Sequence, residues 1–101
     1  MALSSTYYGQ SVTKFAIASA TKDWASLGDG ANTLEQDVTV TGAQLGDFAM
    51  ASLSVDLQGL IMTAQVTAAD TVTVALTNET GSTIDLASGT LYVMVIPREV
   101  V

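Results

Sequence analysis

The stretch Asp70-Thr-Val-Thr-Val-Ala-Leu-Thr-Asn78 decides the fold. Its large apolar residues, Val72, Val74 and Leu76, fall on every second position, with Thr71, Thr73, Ala75 and Thr77 between them. That period of two marks a strand with one buried face. A turn signal, Asn78-Glu-Thr-Gly81, follows directly. Upstream, residues 37–41 alternate in the same way, with Val38 and Val40 inward and Thr39 and Thr41 outward. Gly42 to Gly46 form a turn region, and residues 48–55 and 60–67 read as further strands separated by Asp56-Leu-Gln-Gly59. Downstream, Ala87-Ser-Gly89 is another turn, and residues 89–96 form a last strand that Pro97, lacking a backbone donor, ends. Short strands at this spacing, rich in Val and Thr and without an amphipathic helix pattern, predict an all-β protein. The expected form is a small antiparallel β-sandwich or barrel with an extended N-terminal arm.

The last strand carries apolar residues on both sides. Leu91, Val93 and Val95 make one face; Tyr92, Met94 and Ile96 make the other. A strand of that kind is expected to be buried on both faces. Two coverings compete for its outer side: the N-terminal segment of the same chain, or a sister subunit, since contiguous apolar surface marks interfaces. In the N-terminal third, residues 12–19 offer a short strand with Phe15 and Ile17 on one face, and Trp24 and the loop signal Gly28-Asp-Gly-Ala-Asn32 follow. The expected division is residues 1–35 as arm and connecting segment and residues 36–101 as the sandwich domain. Residues 1–11 have no strand or helix period, and a terminus of that kind needs something to hold it. The arm is expected to grip a partner, with Tyr7, Tyr8 and Phe15 as apolar anchors and Lys14 as a charge contact; the competing expectation folds it back on its own sheet. Tyr92, Met94 and Ile96 complete the expected partner-binding set.

Composition excludes several classes. Of the 101 residues, 49% are hydrophobic and only 13% charged, too apolar for a disordered chain and oily for a lone small domain. The longest run of large apolar residues, 91–96, is far below the roughly 20 that cross a bilayer, so no membrane partner is expected. Met1-Ala-Leu-Ser-Ser shows no basic and apolar leader pattern. A net charge of −7, from ten acids against Lys14, Lys22 and Arg98, has the wrong sign for phosphates, so no nucleic acid is expected. The charge is lopsided: residues 1–35 hold two lysines and three acids, while residues 36–101 hold seven acids and one arginine.

The absence of histidine and cysteine removes most nucleophile–base pairs, disulfides and thiolate metal sites. The acids sit beside turns, at Asp23, Asp29, Asp47, Asp56, Asp70, Glu79 and Asp85. Carboxylates there are expected to accept backbone N–H bonds rather than to do acid–base work. No catalytic residue, metal or cofactor is expected. Asn78-Glu79-Thr80 matches a glycosylation sequon but reads better as a turn, and Gly42-Ala-Gln-Leu-Gly46 lacks the apolar surroundings of a membrane helix motif.

From Val38-Thr-Val-Thr-Gly-Ala-Gln-Leu-Gly-Asp-Phe48 onward the chain resembles a small β-module of tailed bacteriophages and prophages. Gly59-Leu60, Val66-Thr-Ala-Ala-Asp-Thr-Val-Thr-Val74, Thr77-Asn78, Thr80-Gly81, Ile84-Asp85 and Ala87-Ser-Gly-Thr-Leu91 continue the likeness, which spans residues 37–96. In that group similar modules form free-standing virion proteins or the ends of tail-fibre proteins. The resemblance implies a non-enzymatic capsid decoration (cement) protein, a homotrimer on the outer surface of the capsid that clamps neighbouring major capsid subunits. The alternative it implies is a tail-fibre or receptor-binding module for a host surface glycan. Few aromatics are on hand to stack on sugars: Tyr7, Tyr8, Phe15, Trp24, Phe48 and Tyr92.

Overall fold

A computed structural model describes residues 15–30 and 33–98. Six strands follow in order: β1 (Ala16–Lys22), β2 (Thr33–Thr39), β3 (Phe48–Leu53), β4 (Ile61–Ala68), β5 (Thr71–Thr77) and β6 (Gly89–Ile96). They make two three-stranded antiparallel sheets, β1-β6-β3 and β2-β5-β4. The fold is a small all-β sandwich, and the described residues form no helix.

The two stretches with the clearest apolar pattern are the two central strands. Val72, Val74 and Leu76 of β5 and Leu91, Val93 and Val95 of β6 are buried and face each other across the core. Flanking strands bring different volumes to that core. In the β2-β5-β4 sheet the inward register rows are Leu34–Leu76–Met62 and Val38–Val72–Val66. In the β1-β6-β3 sheet they are Ala16–Val95–Ala49, Ala18–Val93–Ala51 and Ala20–Leu91–Leu53, and the first sheet also has the row Gln36–Val74–Ala64. The alanines of β1 and β3 leave room for the larger side chains of the facing sheet.

The ends of the sandwich are tied by loops. At the end where β1 leaves, Trp24 and Leu27 enter the core beside Leu86, and Leu27 exchanges backbone hydrogen bonds of 2.8 and 2.9 Å with Ile84. The division expected between residues 35 and 36 falls inside β2. The structure places β1, Trp24 and Leu27 in the same sandwich as the strands that follow. The physical reason is hydrogen bonding and burial: β1 pairs with β6 along its whole length, and the core needs Trp24 as a plug.

At the other end the β4–β5 hairpin turns through Ala69 and Asp70. Asp70 lies in the left-handed region at φ 62°, which aspartate tolerates better than most residues. Its N–H donates to the Ala43 carbonyl at 2.9 Å, its carbonyl accepts from Val40 N–H at 2.8 Å, and its carboxylate accepts from Gly42 N–H at 2.7 Å. Gly42 itself sits at φ 93°. Asp70→Ala removes the carboxylate acceptor and leaves alanine in a strained conformation, so it is expected to cost about 1–2 kcal/mol. Urea denaturation checks this, with Asp70→Asn expected to lose less; a change below about 0.3 kcal/mol for alanine would mean the two turns are not coupled.

Candidate interaction surface

The acids have structural duties where the structure shows their partners. Asp47 accepts from Gln44 N–H at 3.0 Å and from Arg98 N–H at 3.1 Å, and its Oδ1 lies 3.4 Å from the Arg98 guanidinium. Asp56 accepts from Gln58 N–H at 3.0 Å and Asp29 from Gly81 N–H at 2.9 Å. With Asp70, these are turn carboxylates holding backbone donors, as turn chemistry leads one to expect. Among the described residues no cluster of three or more acids is placed to hold a metal ion.

Asn78 is likewise engaged. It is fully buried; its amide donates to the Leu27 carbonyl at 3.0 Å and the Ser82 carbonyl at 2.7 Å, while its oxygen accepts from Thr80 N–H and the Thr80 hydroxyl at 2.9 and 2.7 Å. The nitrogen a sugar would be attached to is therefore committed inside the fold.

The surface that stands apart is the outer face of the β1-β6-β3 sheet. Its register rows are Ile17–Met94–Met50, Ser19–Tyr92–Ser52 and the Phe48–Ile96 pair. Ile17 is 72% exposed, Met50 56% and Tyr92 47%, and Phe48 is exposed as well. Phe15, just ahead of β1, is exposed too but lines a separate depression at the end of the sandwich, with Thr41, Ala43, Asp47 and Pro97. Neighbouring strands lie about 4.8 Å apart, so the outward side chains of the three strands form one contiguous patch. A shallow depression of about 200 Å³ opens between Ile17, Met50, Tyr92 and Met94. None of the outward positions of these three strands carries a charge.

The opposite outer face has another chemistry. On β2-β5-β4 the outward residues include Glu35, Asp37, Thr63, Gln65, Thr71 and Thr73. Asp37 accepts from the Thr73 hydroxyl at 2.8 Å, and Thr73 and Thr67 share a hydroxyl–hydroxyl bond of 2.8 Å. The sandwich is two-faced: one side mainly polar and acidic, with Ile61 exposed at its margin, the other apolar and uncharged.

Of the residues expected to bind a partner, the structure brings Tyr92, Met94 and Ile96 onto this one face; Phe15 lies at the end of the sandwich, and Tyr7, Tyr8 and Lys14 lie outside the described residues. β6 has the two apolar faces expected of it: Leu91, Val93 and Val95 are buried in the core, while Tyr92 on the other face is exposed, and β1 lies beside β6 in the same sheet. Ile17 joins this face from outside the expected set, as do Phe48 and Met50. Their signal was the Phe-Ala-Met-Ala order of residues 48–51, in which the alanines, not the large residues, face the core.

Fold and surface together define a small β-sandwich with a one-sided apolar face. Comparison of the chain with protein-family models, with curated proteins and with solved structures finds no match.

Proposed function

We propose that this chain is a non-enzymatic virion structural protein of a tailed bacteriophage, a capsid decoration (cement) protein. In this reading it sits on the outer surface of the capsid as a homo-oligomer, a trimer, and clamps neighbouring major capsid subunits. The observation that carries the reading is the uncharged apolar face of β1-β6-β3 on a chain of net charge −7. A patch of that kind is the mark of a protein–protein contact. The likeness of residues 37–96 to phage β-modules supplies the setting.

The glycan-binding alternative has one observation in its favour: Phe48 and Tyr92 are exposed aromatics on a single face. A sugar pocket also needs convergent polar groups beside the ring. The depression at Tyr92 offers Ser52 and otherwise apolar side chains. The assembly reading fits this chemistry better.

A clamp that binds only the assembled shell stabilises it by linkage. Phage particles lacking the protein are therefore expected to assemble but to release their genome at a lower temperature than complete particles. The copy number in purified particles is expected to be of the same order as that of the major capsid subunit. Equal release temperatures, or a small fixed copy number, would count against the decoration role and favour a tail position.

A further inference from the structure

We propose that the outer face of the β1-β6-β3 sheet is the self-association face, closed in solution by the same face of a second copy of this chain. The inference rests on the reading of the chain as an assembly module and names the partner of its apolar side. A pairing of like faces closes as a dimer, which here stands in place of the trimer of that reading.

Three observations carry it. The first is where β1 and β3 spend their volume. Ala16, Ala18, Ala49 and Ala51 point to the core while Ile17, Phe48 and Met50 point out. A one-residue slip in register would bury the large residues and expose the alanines. The register observed does the reverse, and the outer sheet face then resembles half of a second core, the pattern of a lasting contact and not of a solvated face.

The second is charge. A basic partner would gain most on the Glu35 and Asp37 side of the sandwich, whereas the outward positions of β1, β6 and β3 offer it nothing to pair with. Two acidic copies, by contrast, can approach only through an uncharged face without repulsion. Sheets stack about 10 Å apart, so four stacked layers hold the two acidic faces roughly 30 Å from each other. That is several times the screening length of about 8 Å at physiological salt.

The third is size. Exposed Phe, Tyr, Ile and Met side chains contribute on the order of 100 Å² each. Ile17, Phe48, Met50 and Tyr92 thus offer on the order of 400 Å² per copy, to which the partly buried Met94 and Ile96 add. That is about half of the ~800 Å² per partner of a standard interface and the size of a patch that marks an interaction site.

Sedimentation equilibrium of the full chain at micromolar concentration tests the proposal with three proteins: wild type, Met50→Glu and Thr63→Glu. Met50 and Thr63 are both exposed strand residues, one on each outer face, so the two substitutions add the same charge to opposite sides. Wild type and Thr63→Glu are expected to be oligomeric, and Met50→Glu to associate at least tenfold more weakly. A second measurement needs no variant. The rate of peroxide oxidation of Met50 and Met94 in wild type is expected to fall as protein concentration rises through the association range.

A monomeric wild type overturns the proposal, as does a Met50→Glu protein that associates as wild type does. Protection of both methionines that is independent of concentration in a monomer assigns the face to the chain's own N-terminal residues and also overturns it. Particle binding separates this result from the decoration reading. A monomer that still coats phage particles overturns only the assignment of the face. An oligomer closed by this face that coats no particle overturns only the decoration role.

Discussion

A chain cut to residues 36–101 is expected not to fold. The cut removes β1 entirely, Trp24 and Leu27 with it, and the first residues of β2. Each loss strikes a different support. Without β1, one edge of β6 loses its hydrogen-bonded neighbour from Gly89 to Val95. Without Trp24, which is 1% exposed, the end of the core beside Leu86 opens to water. Removing a buried Trp side chain alone costs about 3–5 kcal/mol. Small domains hold only about 5–15 kcal/mol in all, and a strand lost on top of the Trp exceeds that margin. The expected result is a far-UV circular dichroism spectrum without β-structure and no cooperative thermal transition. A truncated protein that melts cooperatively at the full chain's temperature would show that β1 and Trp24 are dispensable.

That expectation differs from what the sequence suggests about the same boundary, and the difference has a physical cause. Strict alternation was legible wherever β-branched residues occupy the inward positions: Val38 and Val40, Val72 and Val74, Val93 and Val95. The end of β2, β5 and β6 follow from that pattern, and with the turns between them so does the sandwich. β1, expected over residues 12–19, instead runs Ala16–Lys22 because it pairs with β6, not because of its own apolar period. The start of β2 was not legible, because Leu34 and Gln36 take the inward positions and an inward Gln breaks the apolar period. An edge strand tolerates it, since its margin reaches water. Trp24 gave no sign of its role either, standing alone in an irregular segment whose position is defined by the Leu27–Ile84 pairing and by bonds to Asn78 and Gly81, all distant in sequence.

The candidate surface was half legible for a related reason. Tyr92, Met94 and Ile96 were visible because the opposite face of the same strand is plainly the core face. In β1 and β3 the inward residues are alanines, and composition alone assigns the larger side chains to the interior. The order of the sheet corrects this: both strands flank β6, so their outward sides must continue the face that Tyr92 and Met94 begin. Facing direction is a property of register, and register is fixed by pairing partners distant in sequence.

Asn78→Ala is expected to be the most destabilising single polar substitution in the loops. The side chain joins three segments: the Leu27 carbonyl after β1, the Ser82 carbonyl, and the Thr80 amide and hydroxyl. Alanine leaves the Leu27 carbonyl with the Ile84 N–H alone and the Ser82 carbonyl with the Thr80 hydroxyl alone, and it takes from the Thr80 amide its acceptor. At about 0.5–1 kcal/mol net for each of the four hydrogen bonds removed, the loss comes to about 2–4 kcal/mol. Asn78→Asp sharpens the test. It keeps the shape and the acceptor for Thr80 but turns the donor toward Leu27 and Ser82 into a second carboxylate oxygen. The buried carboxylate faces two carbonyl oxygens, so its folded-state pKa is expected to rise above the unfolded value of about 3.9. A group whose pKa is raised on folding favours the fold when protonated. The penalty of Asn78→Asp relative to wild type is therefore smallest below about pH 3.9 and grows as pH rises through the folded-state pKa. Urea denaturation of wild type, Asn78→Ala and Asn78→Asp at pH 4 and pH 7 reads both effects, with wild type correcting for the other carboxylates at each pH. An aspartate variant that loses less than about 0.5 kcal/mol at pH 7, or whose penalty does not depend on pH, would mean that Asn78 is not the buried pin this geometry describes.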